Sequence, residues 1–97
     1  MYEIEFTPDS IKDLRWFTKR DRKQIMAALE SRLSHEPTVE TRNRKRLRPN
    51  RLAEWELRWG GFRIFFDVKE EDRLINIIAV GYKEGSRLFI RGKEYEL

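Results

Sequence analysis

The segment from Glu54 to Val68 constrains the fold most. Trp55, Leu57 and Trp59 alternate with Glu54, Glu56 and Arg58, Gly60-Gly61 follows, and Phe62, Ile64, Phe66 and Val68 then alternate with Arg63, Phe65 and Asp67. A period of two on either side of a two-glycine loop reads as a β-hairpin. With the glycines as the loop, Trp59 faces Phe62, Arg58 faces Arg63, Leu57 faces Ile64, Glu56 faces Phe65 and Trp55 faces Phe66. One face is then wholly apolar and needs a covering layer. The other sets Arg58 across from Arg63, a like-charge pair that destabilises a hairpin unless an anion or a carboxylate answers it. Glu56, diagonal to Arg63, is a candidate for that carboxylate. These charges can be read simply as a solvated sheet face. They can also be read as a phosphate site, because guanidinium forks match phosphate oxygens two at a time. Phe65 on the same face, with Tyr82 or Phe89 nearby, would then stack an unpaired base.

The covering layer comes from the N-terminal third. Tyr2, Ile4 and Phe6 alternate with Glu3 and Glu5 as a first strand. Thr7 at an N-cap, Pro8 at the first helical position and Asp9 in the first turn start a helix, with Ile11, Leu14 and Phe17 as its apolar stripe. From about Asp21 to His35, Ile25, Met26, Leu29 and Leu33 recur at helical spacing until Pro37 stops them. Trp16 is expected to be partly buried against this second helix, and His35 to cap its end. Thr38 to Leu52 has no periodicity and reads as a long loop. Lys69 to Arg73 is a charged turn, Leu74 to Tyr82 a β-branched central strand, and Leu88-Phe89-Ile90 a short fifth strand. The expected fold is a single α+β domain over residues 1–97, in two layers. An antiparallel sheet of four to five strands carries the helical hairpin on one face, in the order β-α-α-β-β-β with a fifth strand after it.

Composition narrows the chemistry. There is no cysteine and His35 is the only histidine, so no metal and no cofactor is expected. No apolar run approaches a membrane span and no basic-then-apolar leader opens the chain, so the expectation is a cytoplasmic protein without a membrane partner. The net charge is +4, unevenly placed: residues 1–41 carry seven basic and eight acidic groups, residues 42–97 fourteen and nine. Arg42, Arg44, Lys45, Arg46, Arg48 and Arg51 fall within ten residues that contain no acid. Such a run predicts a polyanionic partner.

Phe62-Arg63-Ile64-Phe65-Phe66-Asp67-Val68, Ile78-Ala79-Val80-Gly81-Tyr82-Lys83 and Leu88-Phe89-Ile90-Arg91-Gly92-Lys93-Glu94, in this order after two helices and a basic loop, resemble the RelE/ParE superfamily of toxins from type II toxin–antitoxin pairs. The resemblance covers essentially the whole chain. It implies a cognate antitoxin as partner and one of two activities. RelE-type members act in the ribosomal A site and cut mRNA without metal, the ribose 2′-hydroxyl attacking the adjacent phosphate; ParE-type members inhibit DNA gyrase. For the first activity, Arg63 and Arg58 would stabilise the phosphate, Lys83 would neutralise the leaving oxygen, and Glu56 or Tyr82 would assist proton transfer. Arg42, Arg44, Lys45, Arg46, Arg48 and Arg51 would hold ribosomal RNA, with Phe65 and Phe89 stacking bases. Two departures stand out. Glu54 and Glu56 occupy the second-strand positions where RelE has lysines, and Phe89 stands where its C-terminal tyrosine is expected. The second departure keeps open a ParE-like inhibitor or an inactive domain that only binds its antitoxin.

Overall fold

In the computed structural model, which describes residues 1–97, the chain runs through β1 (Glu3–Phe6), α1 (Pro8–Trp16), α2 (Lys19–Leu33), β2 (Arg44–Arg46), β3 (Trp55–Trp59), β4 (Phe62–Lys69), β5 (Leu74–Glu84), β6 (Arg87–Ile90) and β7 (Lys93–Tyr95). The β3–β4 hairpin has the register its alternation dictates, from Trp59 opposite Phe62 to Trp55 opposite Phe66. Gly60 supplies the left-handed backbone of its turn, at φ 56°. The α+β architecture with an N-terminal helical hairpin is as expected, but the sheet has seven strands. Two were missed. β2 lies inside the basic run, where charge hid a strand that pairs with β3, and the short β7 pairs with β6.

The sheet order is β2-β3-β4-β5-β6-β7, and β1 joins β5 in parallel, so the sheet is not wholly antiparallel. One edge of β5 is taken by β4 from Leu74 to Tyr82. The other is shared: β1 covers Leu74 to Ile77 and β6 covers Tyr82 to Glu84. Between them β5 has no strand neighbour, and unpaired backbone there would be costly. The start of α1 supplies the partners. Thr7 donates its N–H to the Ile77 carbonyl at 3.1 Å and its hydroxyl to that of Ile78 at 3.3 Å, and Asp13 Oδ2 accepts the Val80 N–H at 3.0 Å. The inward face of α1 is therefore Ser10 and Asp13, with Leu14 partly buried against the core and Phe17 just past the helix end, and Ile11, expected in the apolar stripe, is exposed.

Thr18 caps α2 by accepting the Asp21 N–H at 3.1 Å, which starts this helix at Lys19, earlier than its apolar pattern suggested. Ile25, Leu29 and Leu33 pack with Phe17 onto Trp55, Leu57, Ile64, Phe66, Ile75, Ile77 and Val80 as the main core, and Met26 is left exposed. Each fully buried Leu or Ile contributes roughly 1.5–3 kcal/mol against chain entropy. A register shift opposite Phe65/Phe66 leaves Ile78 as an extra residue in β5. Ile75 and Ile77 point at the helices before it and Val80 and Tyr82 after it, a change of phase visible in the sequence.

The far face of the sheet is not open. Ala53, Phe65, Ala79 and Leu88 form a second core, with Leu47, Leu52, Ile90 and Tyr95 packed around it. The loop before β3 and the β6–β7 hairpin thus fold over this side. Gly81 permits the approach: a Cβ there would collide with the Phe89 carbonyl oxygen.

Candidate nucleic-acid interface

β3 and β4 place Arg58 directly across from Arg63, as the hairpin register requires. Glu56 answers the charge from an unexpected direction. It is 3% exposed and pairs with Arg58, Nε to Oε1 at 2.8 Å, instead of serving the diagonal Arg63. Arg63 is held by its own turn, Nη1 donating to the carbonyls of Gly60 and Phe62, both at 2.8 Å. Its Nε is buried without a partner. Burial lowers the Arg63 pKa, Glu56 opposes that and Arg58 adds to it, so the cation is under-compensated at this spot. An anion would relieve it.

Two more cations share this face. Lys45 on β2 stands opposite Glu56, and Lys83 follows two residues after Gly81, the partner of Arg63 on β5. Lys45 belongs here because the expected loop is a strand, and a strand has a facing side. Arg42, Arg48 and Arg51 are exposed and make no ion pair. Arg46 is exposed too, but lies 3.6 Å from Glu54 and over the Trp55 ring.

Four expected members do not join. Phe65 is fully buried in the second core and has no surface to offer a base, because the folded-over hairpin covers it. Tyr82 and Phe89 lie on the helix side, since the extra residue in β5 reverses the alternation before Tyr82. The two rings stack on one another at 5.4 Å, and Tyr82 stacks on Trp16 at 5.2 Å. Trp16 therefore packs on β5, not on α2. Arg44 is buried, donating from Nε to the Val39 carbonyl at 2.7 Å and from Nη1 to the carbonyl of Arg32 near the end of α2. It does the capping expected of His35, which is exposed. Burial lowers the Arg44 pKa, partly offset by Glu36.

Sequence reasoning missed a latch that holds the C-terminal hairpin. Asp13 is 2% exposed; its Oδ1 lies 2.9 Å from Nε of Arg91, in the β6–β7 turn. The next residue, Gly92, sits against the Trp16 indole. A carboxylate flanked by helix-forming residues carries no signal of such a role. No three His, Asp or Glu side chains converge to form a metal cage, and no helix is long and apolar enough to cross a membrane.

Among solved structures, the RelBE2 toxin–antitoxin complex of Mycobacterium tuberculosis contains a chain of the same fold. The TM-score is 0.73 at 24% identity, over 84% of this chain and 98% of that one. The isolated RelE toxin of E. coli gives 0.71 at 23% identity, over 89% and 88%. The archaeal RelE–RelB complex from Pyrococcus horikoshii gives 0.67 at 18%, over 88% and 97%. No curated protein sequence matches. The pattern of one family, the ParE toxin of the type II toxin–antitoxin system parDE, matches residues 4–86, from β1 to the turn before β6. That span takes in both helices, the arginine pair and Lys83, so the chain belongs to the ParE toxin family, within the RelE/ParE superfamily of type II toxins.

Proposed function

We propose that this toxin binds the ribosome and cleaves messenger RNA there, with the Arg58–Arg63 pair as its phosphate site. The observation that carries the reading is the guanidinium of Arg63, fixed by two carbonyls of its own turn while its buried Nε lacks a partner. A preorganised donor of this kind acts on charge that grows in a transition state. As the 2′-oxygen attacks phosphorus and the bond to the 5′-oxygen breaks, the two guanidiniums take the negative charge of the equatorial oxygens. The hydroxyl proton passes to Glu56, which leaves Arg58 as that arginine turns to phosphate. Lys83 returns a proton to the departing 5′-oxygen. Tyr82 takes no part, being stacked on the other side of the sheet. Lys45, Arg42, Arg48 and Arg51 supply contacts to the RNA backbone.

The family and its solved relatives support an antitoxin as the physiological partner, one whose acidic, partly disordered segment orders against the cationic face. A second reading is favoured by one observation: the only carboxylate beside the arginines is already paired. Under it, the chain inhibits gyrase in the ParE manner and cuts nothing. Mapping RNA ends after a brief induction separates the two. New ends within translated codons that vanish with Arg63→Ala support cleavage; intact messages with broken DNA would put gyrase in its place.

A further inference from the structure

We propose that the corner between α1 and α2 is a second RNA-binding surface, carrying structured RNA past the β3–β4 turn from the Arg58–Arg63 site. The inference rests on the ribosomal reading for its biological setting, and on the charges of the corner for its chemistry.

Between Lys12 and Lys23 the chain holds six basic residues and two acids in twelve positions, a net +4 that the acids elsewhere in residues 1–41 mask. One acid, Asp13, is buried in the latch, and one base, Arg22, is used in capping α1, donating to the Phe17 carbonyl at 2.9 Å. The other five, Lys12, Arg15, Lys19, Arg20 and Lys23, are exposed and take part in none of the four ion pairs of the structure. Their placement costs the fold something. Lys19 and Arg20 stand in the first turn of α2, where the helix dipole disfavours positive charge, and Lys19 and Lys23 form a like-charged pair one turn apart. Asp21 in the same turn answers part of this charge, and a polyanion would answer the rest.

The corner also lies in the right place. Phe17 packs edge-on against Phe62 at 5.6 Å, which docks the corner beside the Gly60–Gly61 turn. Arg63 is bonded to that same turn through the Gly60 carbonyl. An open cleft of about 400 Å³ separates helices from sheet here, with Trp16 and Asp21 on one wall and Gly61 and Lys83 on the other. Asp21 and Glu84 make part of it acidic, so a phosphate chain would follow the outer cationic rim and not the floor. At Gly61 an added Cβ would meet nothing, and no positive φ demands glycine there. The bare turn leaves a low saddle over which a nucleic-acid backbone passes from one cationic surface to the other.

The test uses the full chain carrying Lys19→Gln, Arg20→Gln and Lys23→Gln, exposed positions whose change should leave folding intact. Binding to ribosomes and to a short RNA duplex is measured against salt. Three lost phosphate contacts on the duplex lower the slope of log affinity against log salt by about 2.7, so the affinity loss between roughly 50 and 150 mM salt shrinks about twentyfold. Cleavage at saturating ribosome is expected to be unchanged, because these side chains do not reach the reacting phosphate. An unchanged slope on both RNAs overturns the inference, as does weakened antitoxin binding with unaltered RNA binding, which would make the corner a protein contact. If the parent chain cuts no ribosome-bound message, the cleavage reading falls by itself; the duplex measurement still decides on the corner, a lower slope supporting it and an unchanged one overturning it.

Discussion

Asp13 and Val80 stand 67 positions apart in the chain, and the carboxylate of the first accepts the backbone N–H of the second at 3.0 Å. This bond fills a break in the sheet edge with a side chain from a helix. Its electrostatics are mixed: burial raises the Asp13 pKa, and the Val80 bond and Arg91 pull it back down. A carboxyl whose pKa is higher in the folded state favours folding most when protonated, below its unfolded pKa. That contribution is lost as pH rises through the folded value.

Asp13→Asn keeps an acceptor for Val80 but cannot titrate. Its stability relative to the parent is therefore expected to be best at neutral pH and to fall as the medium is acidified through the carboxylate range. Asp13→Ala leaves the Val80 N–H unpaired and is expected to cost about 1–3 kcal/mol. Denaturant unfolding of both variants across pH checks the sign and the size.

Arg63→Ala is expected to fold, losing about 1 kcal/mol with its bonds to the turn, and to lower the cleavage rate by a factor of about a hundred to a thousand. Arg63→Lys keeps the charge without the fork and should recover only part of it. Growth inhibition together with a thermal melt reads both effects; full toxicity in a soluble Arg63→Ala chain would remove Arg63 from the site.

Within the basic run, neighbouring residues are expected to behave oppositely. Arg44→Ala strips the end of α2 of a charged donor and should cost about 2–3 kcal/mol in stability. Replacing Arg42, Lys45 and Arg48 together should leave the melt nearly unchanged and reduce the salt slope of RNA binding by about two.

Gly81→Ala tests how tightly the C-terminal hairpin is seated. The new methyl meets the Phe89 carbonyl, so β6 must move or the second core must open, at about 1–3 kcal/mol. Gly61→Ala, in open space, is the control and should be silent. Hydrogen exchange on β6 and β7 distinguishes local displacement from global loss.

How much of this was legible in the sequence depended on whether a signal was local. The β3–β4 hairpin, its register and the Arg58–Arg63 pair follow from an alternation around two glycines. The cap at Thr7 follows equally from adjacent residues. What could not be read depends on long-range packing. Arg44 looks like its basic neighbours until α2 is placed beneath it, and Phe65 looks like a free ring until β6 and β7 cover it. Tyr82 and Phe89 were assigned to the wrong face because one extra residue in β5 inverts the alternation. That residue was readable in principle from Ile75, Ile77, Val80 and Tyr82, whose spacing skips once.

The central strand also sets when this protein can become itself during synthesis. β5 begins at Leu74, and β1, β4, β6 and the start of α1 all depend on it for partners. Until those late residues emerge, the helical hairpin has no finished sheet to cover, and Ile25, Leu29 and Leu33 remain unsheltered. Pairings of such wide sequence separation also slow folding. A chain ending before β5 should stay largely unfolded by circular dichroism and should be harmless. The nascent protein thus passes through a stage in which its greasy surfaces are exposed but its arginine pair is unsupported, and activity arises only as the last quarter of the chain is threaded into the middle.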